Sequence, residues 1–261
     1  MAMKRRGNRK EPLSKARKIV VKVGPQEDHE IKGEITKRKI GLFGGTFNPI
    51  HIGHLRGAEE IREAFGLEKV VFVPAATPPH KDAEKIVDPD HRLKMVRLAT
   101  RTNPAFSTSE IELRRPGKSY SIDTIRYFQR DQGTSVFFIL GRDAFGEIET
   151  WKDYEQLFFL CNFIVMARPG FEETSSSTPL PPRLTSAFRY SPEGGSWIHV
   201  SGHTLHFRAI TFLDISSTRV RELIGRKESV RYLLPREVET YIRRHGLYQS
   251  RKGPSSSRRS M

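Results

Sequence analysis

Between residues 39 and 248, short apolar runs alternate with amphipathic stretches, a pattern that predicts strands and helices taking turns. Residues 39–43 form a first strand that breaks into Gly44 and Gly45, and the apolar spacing over 55–65 predicts a helix. Lys69-Val70-Val71-Phe72-Val73-Pro74 is β-branched and aromatic and stops at proline, the pattern of a strand buried on both faces. Strand, helix and strand within about 35 residues make a βαβ unit, which requires a right-handed crossover. Farther on, 91–100 is amphipathic with helical spacing, and 106–113 reads as a third strand. A helix then opens near Ser121 or Asp123, either of which suits an N-cap. Val136-Phe137-Phe138-Ile139-Leu140 is apolar throughout and therefore central, and 162–170 is a further strand. The stretches 197–200 and 205–207 around Ser201-Gly202-His203 predict a small hairpin, and a helix pair beginning near Val230 closes the chain by 245–248.

Charge and composition narrow this picture. A length of 261 residues fits one α/β domain with appendages. The net charge of +15 suggests a nucleic-acid partner until its distribution is read. Residues 1–39 carry 13 Lys and Arg against 5 Asp and Glu, and residues 249–261 carry 4 and none, which leaves +3 for 40–248. Three segments follow: a basic flexible extension over 1–38, a catalytic domain over 39–248 with a variable insertion at 171–209, and a basic Ser/Arg-rich tail over 249–261. Nucleic acid is then unlikely as a partner except through the tails, for which solvated disorder is the simpler reading. No apolar run reaches the roughly 20 residues that span a bilayer. No apolar segment follows the basic N-terminus as a secretory signal requires. The single cysteine, Cys161, lies in an apolar run and suits a packed core in a reducing compartment. The expected location is the cytoplasm.

The chemistry concentrates in Gly44-Gly45-Thr46-Phe47-Asn48-Pro49-Ile50-His51-Ile52-Gly53-His54. A strand ending in glycines lets backbone N–H groups approach a phosphate, and the following helix start adds further N–H groups and the positive end of its dipole. His51 and His54, three residues apart, can aim at the same anion from one side of the first turn. The stretch is neither a P-loop nor a dinucleotide fingerprint. A zinc site would need a third and fourth ligand nearby, so no metal ligands are assigned. The second concentration is Ile215-Ser216-Ser217-Thr218-Arg219-Val220-Arg221, where hydroxyls and free N–H groups crowd a helix start and Arg221 lies one turn in. A serine cap with a surface arginine has the same sequence.

The glycine-histidine run resembles the signature of the nucleotidyltransferase superfamily of adenylyl- and cytidylyltransferases, and Ile215-Ser216-Ser217-Thr218-Arg219-Val220-Arg221 resembles its second signature. Many members have Asp-Pro-Pro where this chain has Asn48-Pro49-Ile50, so no acidic role at position 48 carries over. Thr77-Pro78-Pro79-His80-Lys81, Arg92 with Met95, the glutamates after Ser109, Lys118-Ser119-Tyr120-Ser121, Gly141-Arg142-Asp143, Trp151 and Ala167-Arg168-Pro169-Gly170 are similar to one branch, the bacterial nicotinate-nucleotide adenylyltransferases. The match lapses over 171–209. The implied fold class is α/β: a Rossmann-like doubly wound parallel sheet with helices on both faces.

The resemblance implies transfer of AMP from ATP to nicotinate mononucleotide, giving deamido-NAD and pyrophosphate, with Mg²⁺ carried on ATP. His51, His54 and Arg221 are the catalytic candidates. ATP would contact Gly44, Gly45, Thr46, Phe47, Gly141, Asp143, Ile215, Ser216, Ser217 and Thr218. The acceptor would contact Lys81, Tyr120, Ser121, Trp151, Lys152 and Arg168, with the Ser121 main-chain N–H on the nicotinate carboxylate and Trp151 stacked on the ring. Asp143, just past a central strand, suits ribose hydroxyls or a helix cap, and the resemblance of Gly141-Arg142-Asp143 to the family's Gly-x-Asp favours the ribose. Other acceptors within the superfamily are nicotinamide mononucleotide, phosphopantetheine or, with CTP, a phosphoalcohol. An RNA-binding module with a vestigial fold and a nucleotide sensor without turnover are the readings from other classes. The oligomeric state, a homo-oligomer included, is open at this stage.

Overall fold

Strand β1 (Arg38–Gly45) lies at the middle of one eight-stranded sheet, flanked by β2 (Lys69–Pro74) and β4 (Thr134–Gly141), both parallel to it. The computed structural model describes residues 37–79, 86–167 and 179–249. In chain order the remaining elements are α1 (Ile52–Phe65), α2 (Pro89–Thr100), β3 (Phe106–Thr108), α3 (Ile111–Arg114), α4 (Ser121–Phe128), α5 (Arg142–Gly146), α6 (Tyr154–Leu160), β5 (Asn162–Ala167), β6 (Phe188–Ser191), β7 (Ser196–His199), β8 (Thr204–Ala209), α7 (Ser217–Gly225) and α8 (Arg236–Arg244). The strand order is β3-β2-β1-β4-β5-β8-β7-β6. From β3 to β8 every pairing is parallel, and β7 and β6 extend the sheet as antiparallel strands.

The strand interiors explain the two layers. Their residues alternate between faces, so Leu42, Phe138 and Val165 join α4, α5 and α6 in one core cluster. Phe43, Phe137, Phe72 and Ile164 join α1, α2, α7 and α8 in the other. Both faces are therefore covered, as a doubly wound sheet requires. The first strand passes from β1 out to β2 and β3, then the chain returns to β4 on the other side of β1. This reversal opens a crevice at the carboxyl ends of β1 and β4.

Several expectations change in detail. Helix α1 begins at Ile52, three residues earlier than the periodicity indicated, because His51 has taken the extended N-cap conformation. The third strand stops at Thr108 and the chain turns into α3, where Ser109 Oγ accepts from Ile111 N–H at 3.3 Å. Neither Ser121 nor Asp123 is the cap of α4; the N-cap is Tyr120 and it makes no side-chain capping bond. The closing helix pair is one helix, α8, because 230–235 is held as a turn running into Pro235. The hairpin around Ser201-Gly202-His203 is present, with Trp197 opposite Leu205 and Ile198 opposite Thr204. Its second strand, β8, is also the sixth parallel strand. Cys161 is buried, and burial pushes its thiol up.

Candidate active site

The crevice is built first by residues that have no side chain to spare. A Cβ on Gly45 would lie 2.9 Å from the Phe47 ring, and one on Gly44 would lie 3.3 Å from Phe138. Phe47 itself holds a left-handed backbone (φ 47°) and packs edge-on to Phe43 at 5.6 Å, so the turn after β1 is fixed by aromatic packing from beneath. Strain of this kind persists only where the surroundings impose it. The result brings the chain sharply back to His51, the N-cap of α1.

His51 and His54 stack with ring centroids 3.6 Å apart. The His51 backbone N–H donates to His54 Nδ1 at 3.2 Å, which leaves the proton of a neutral His54 ring on Nε2. His54 thereby presents an N–H donor. His51 is buried, its Nδ1 has no hydrogen-bond partner, and desolvation lowers its pKa to about 4. The ring is neutral at rest, and a nearby phosphate would favour its cation.

The second signature docks onto this turn. Ser217 Oγ donates to Pro49 O at 2.8 Å, and Arg221 Nη1 donates to Asn48 O at 2.8 Å. Arg221 Nη2 reaches Thr218 Oγ1 at 3.2 Å, while Ser216 caps α7 by accepting from Arg219 N–H at 3.1 Å. Ile215 packs near Gly53, where any side chain would crowd the His51 ring. The two stretches, 168 residues apart in sequence at the Ser217–Pro49 bond, thus form one surface rich in N–H, O–H and guanidinium donors. Asn48 has a scaffold role: its Oδ1 accepts from Tyr248 Oη at 2.9 Å and from Val87 N–H at 3.3 Å.

Beside this surface lies a cavity of about 240 Å³. Gly44, Gly45 and Thr46 are common to its rim, and Tyr120, Ser121, Gly141, Trp151 and Lys152 line it. Trp151 stands edge-on to Phe138 at 6.2 Å, and Lys152 Nζ lies 4.7 Å above the Tyr120 ring. The uncapped start of α4 leaves main-chain donors at Ser121 for a ligand. His51, His54, Arg221 and Ile215 to Thr218 are outside the cavity lining, on the donor surface, and Phe47 is buried beneath the turn. Asp143 sits on the exposed first turn of α5 and does not line the cavity. Lys81 and Arg168 lie outside the described residues, as do most of the basic extension and the tail.

Two residues of the site escaped the sequence reading of roles. Arg92 is fully buried and gives its guanidinium to four carbonyls: Val87 at 3.0 Å, Thr46 at 2.9 Å, Ala75 at 2.5 Å and Ala76 at 2.9 Å. It fastens the turn after β1 to the segment after β2. Glu112 is buried at the wall of the cavity. A charged residue at an otherwise core-facing position of an amphipathic helix was the available signal for Arg92. For Glu112 the signal was the likeness of the glutamates after Ser109 to the family, which gave no role, since its partners Ser119 and Thr124 come from farther along the chain.

The sequence model of the cytidylyltransferase-like family matches residues 42–223. A protein of Geobacter sulfurreducens named "Probable nicotinate-nucleotide adenylyltransferase" is 47% identical over 211 residues, 80% of this chain and 98% of that one. A protein of the same name from Syntrophotalea carbinolica is 45% identical over 215 residues, 82% and 99% of the two chains. Among solved structures, Plasmodium falciparum nicotinic acid mononucleotide adenylyltransferase complexed with NaAD superposes with a TM-score of 0.62 at 17% identity, over 81% of this chain and 97% of that one. That likeness speaks to the fold.

Proposed function

The chain belongs to the cytidylyltransferase-like family and, within it, to the nicotinate-nucleotide adenylyltransferases, and from that membership we propose how its own residues carry the reaction. It transfers AMP from ATP to nicotinate mononucleotide, forming deamido-NAD and pyrophosphate. The observation that supports the residue assignment best is the joining of the two signatures into one donor surface beside the cavity.

The attacking group is a phosphate monoester whose second pKa is about 6, so it is largely dianionic at neutral pH and needs no general base. The difficulty is its approach to another polyanion. His54, with its proton on Nε2, donates to oxygens of the reacting phosphates, and His51 adds a second donor. Arg221, held against Asn48 and Thr218, and the start of α7 take the leaving pyrophosphate. Such fixed donors stabilise charge that grows in an in-line transition state, and the cavity fixes the acceptor for attack. Tyr120, Ser121, Trp151 and Lys152 hold the acceptor, with the ring against the Trp151 indole. Asp143 stands near enough to the end of β4 to serve a ribose.

Mg²⁺ accompanies ATP in this reading and neutralises phosphate charge. Among the described residues no group of three His, Cys, Asp or Glu side chains stands ready for a metal. In this reading the ion would be held by phosphate oxygens and water, as Mg²⁺ usually is.

The test is pyrophosphate release with ATP and Mg²⁺, run in parallel with nicotinate mononucleotide, nicotinamide mononucleotide and phosphopantetheine. Strong preference for the nicotinate compound is expected, and His54→Ala should lower turnover by several orders of magnitude while remaining folded. Near-normal turnover in folded His54→Ala would defeat the assignment of the donor surface.

A further inference from the structure

The two walls of the cavity are tied to one buried carboxyl. One wall is the segment following β2, where the main-chain groups of Ala75, Ala76 and Thr77 are engaged. Ala75 N–H donates to Gly45 O at 2.9 Å, and the carbonyls of Ala75 and Ala76 accept from Arg92. Ala76 and Thr77 N–H donate to Ser119 Oγ at 2.9 and 3.3 Å, and Thr77 O accepts from Ser119 N–H at 3.0 Å. The opposite wall is the start of α4, where Tyr120 and Ser121 line the cavity and Thr124 is buried one turn in.

Glu112, 7% exposed, stands between the walls. Its Oε1 accepts from Thr124 Oγ1 at 2.6 Å, and its carboxyl also accepts from the Ser119 hydroxyl. The proton accounting fixes the direction of both bonds. A serine hydroxyl has one proton and two lone pairs. Both lone pairs of Ser119 Oγ are taken by the Ala76 and Thr77 N–H groups, so its proton points to an acceptor, which is Glu112. Thr124 Oγ1 likewise receives Arg115 Nη2 at 3.2 Å and passes its proton to Glu112. Among the side chains, a carboxyl accepts two hydroxyls on two separate oxygens without presenting an N–H of its own.

We propose that Glu112 is a positioning residue of the acceptor site: through Ser119 and Thr124 it sets the separation between the segment after β2 and the start of α4, and so governs how the pyridine nucleotide is held. The inference rests on the reading of the cavity as the acceptor site. The donor surface is held by other bonds, from Arg92 to Thr46 and from Ser217 and Arg221 to Pro49 and Asn48, so Glu112 acts on one substrate and not the other. Burial pushes its carboxyl above the usual carboxylate range against the pull of the two hydroxyls and of Arg115.

The test compares the full-length wild type with Glu112→Ala, Glu112→Gln and Thr124→Val, reading KM for each substrate, kcat and thermal stability. Glu112→Ala should raise KM for nicotinate mononucleotide at least tenfold while KM for ATP changes less than twofold. Glu112→Gln keeps one carbonyl acceptor for Ser119 and can turn its NH₂ only toward Thr124 Oγ1, which accepts from Arg115 alone, so one hydroxyl proton loses its acceptor and the variant should fall between wild type and alanine. Thr124→Val, which frees one wall only, should act in the same direction, and it carries the test if Glu112→Ala does not fold. Equal changes in both KM values, or an unchanged acceptor KM in a folded variant, overturn the proposal. The wild-type arm judges the acceptor reading separately: turnover only with another phosphomonoester rejects that reading, and the variants are then compared with that acceptor. Silence with every acceptor overturns both.

Discussion

At the scale of the residue, His51 shows how a binding group is made before any ligand arrives. Its ring is stacked on His54 and buried at the mouth of α1, so the protein carries the cost of desolvating it. With a native pKa of about 4 against an unfolded value near 6.5, the unfolded chain binds more protons between those values. Stability therefore rises with pH from 4 to 6.5, and the penalty below that window is on the order of 3 kcal/mol. His51→Asn should remove this part of the slope: in chemical denaturation across pH 4–7, the variant should lose less stability on acidification than the wild type. His199, His203 and His206 are also shifted down by burial and supply the slope that persists in both proteins. An identical slope in the two proteins would show that the His51 ring titrates normally.

Among the elements, the decisive joint is that between α1 and α7. Each helix start carries its own donors, and the bonds from Ser217 and Arg221 to Pro49 and Asn48 join them into one surface. The joint depends on the Arg221 fork, which spans Asn48 O and Thr218 Oγ1 with two nitrogens in fixed geometry. A lysine keeps the charge but not the fork. Arg221→Lys should therefore raise KM for ATP roughly tenfold, the factor that corresponds to about 1.4 kcal/mol, with KM for the acceptor little changed. Steady-state kinetics with each substrate varied in turn will show it, and equal effects on the two substrates would mean that the joint does not separate their sites.

For the whole molecule, the described part of the stretch expected to be a variable insertion, residues 179–209, contributes side chains to the core. Leu180, Leu184, Phe188 and Trp197 pack into the same buried cluster as Phe138 and Val165 of the central strands. β8, within that stretch, is the sixth parallel strand, with β7 and β6 beyond it. Trp197 is 8% exposed and stacks near Tyr190 at 5.2 Å. Trp197→Ala should cost about 3–5 kcal/mol, as large-to-small core changes do, measured by urea unfolding as a lower midpoint in a single transition. Two separated transitions would show instead that the hairpin folds apart from the nucleotide-binding sheet.

Periodicity and residue type determined a good deal on their own. β2 occupies the residues its β-branched run indicated, α1 covers the expected 55–65 although it starts three residues earlier, and the apolar centre of β4 lies where the pattern put it, because local burial demands are written in local spacing. The two signatures were legible for the same reason: glycines, histidines and hydroxyls at helix starts carry their chemistry in a few adjacent positions. Tertiary structure alone decided what depends on distant partners. The cap of α4 fell to Tyr120 although two better capping side chains lay nearby, and the strand after Phe106 ended early where α3 packs on β2. The neutral His51, the buried Arg92 that gathers four carbonyls and the Glu112 that joins two walls each owe their role to groups brought from elsewhere in the chain. Hydrogen bonding and desolvation act through space, and a linear sequence records only one partner of each such bond.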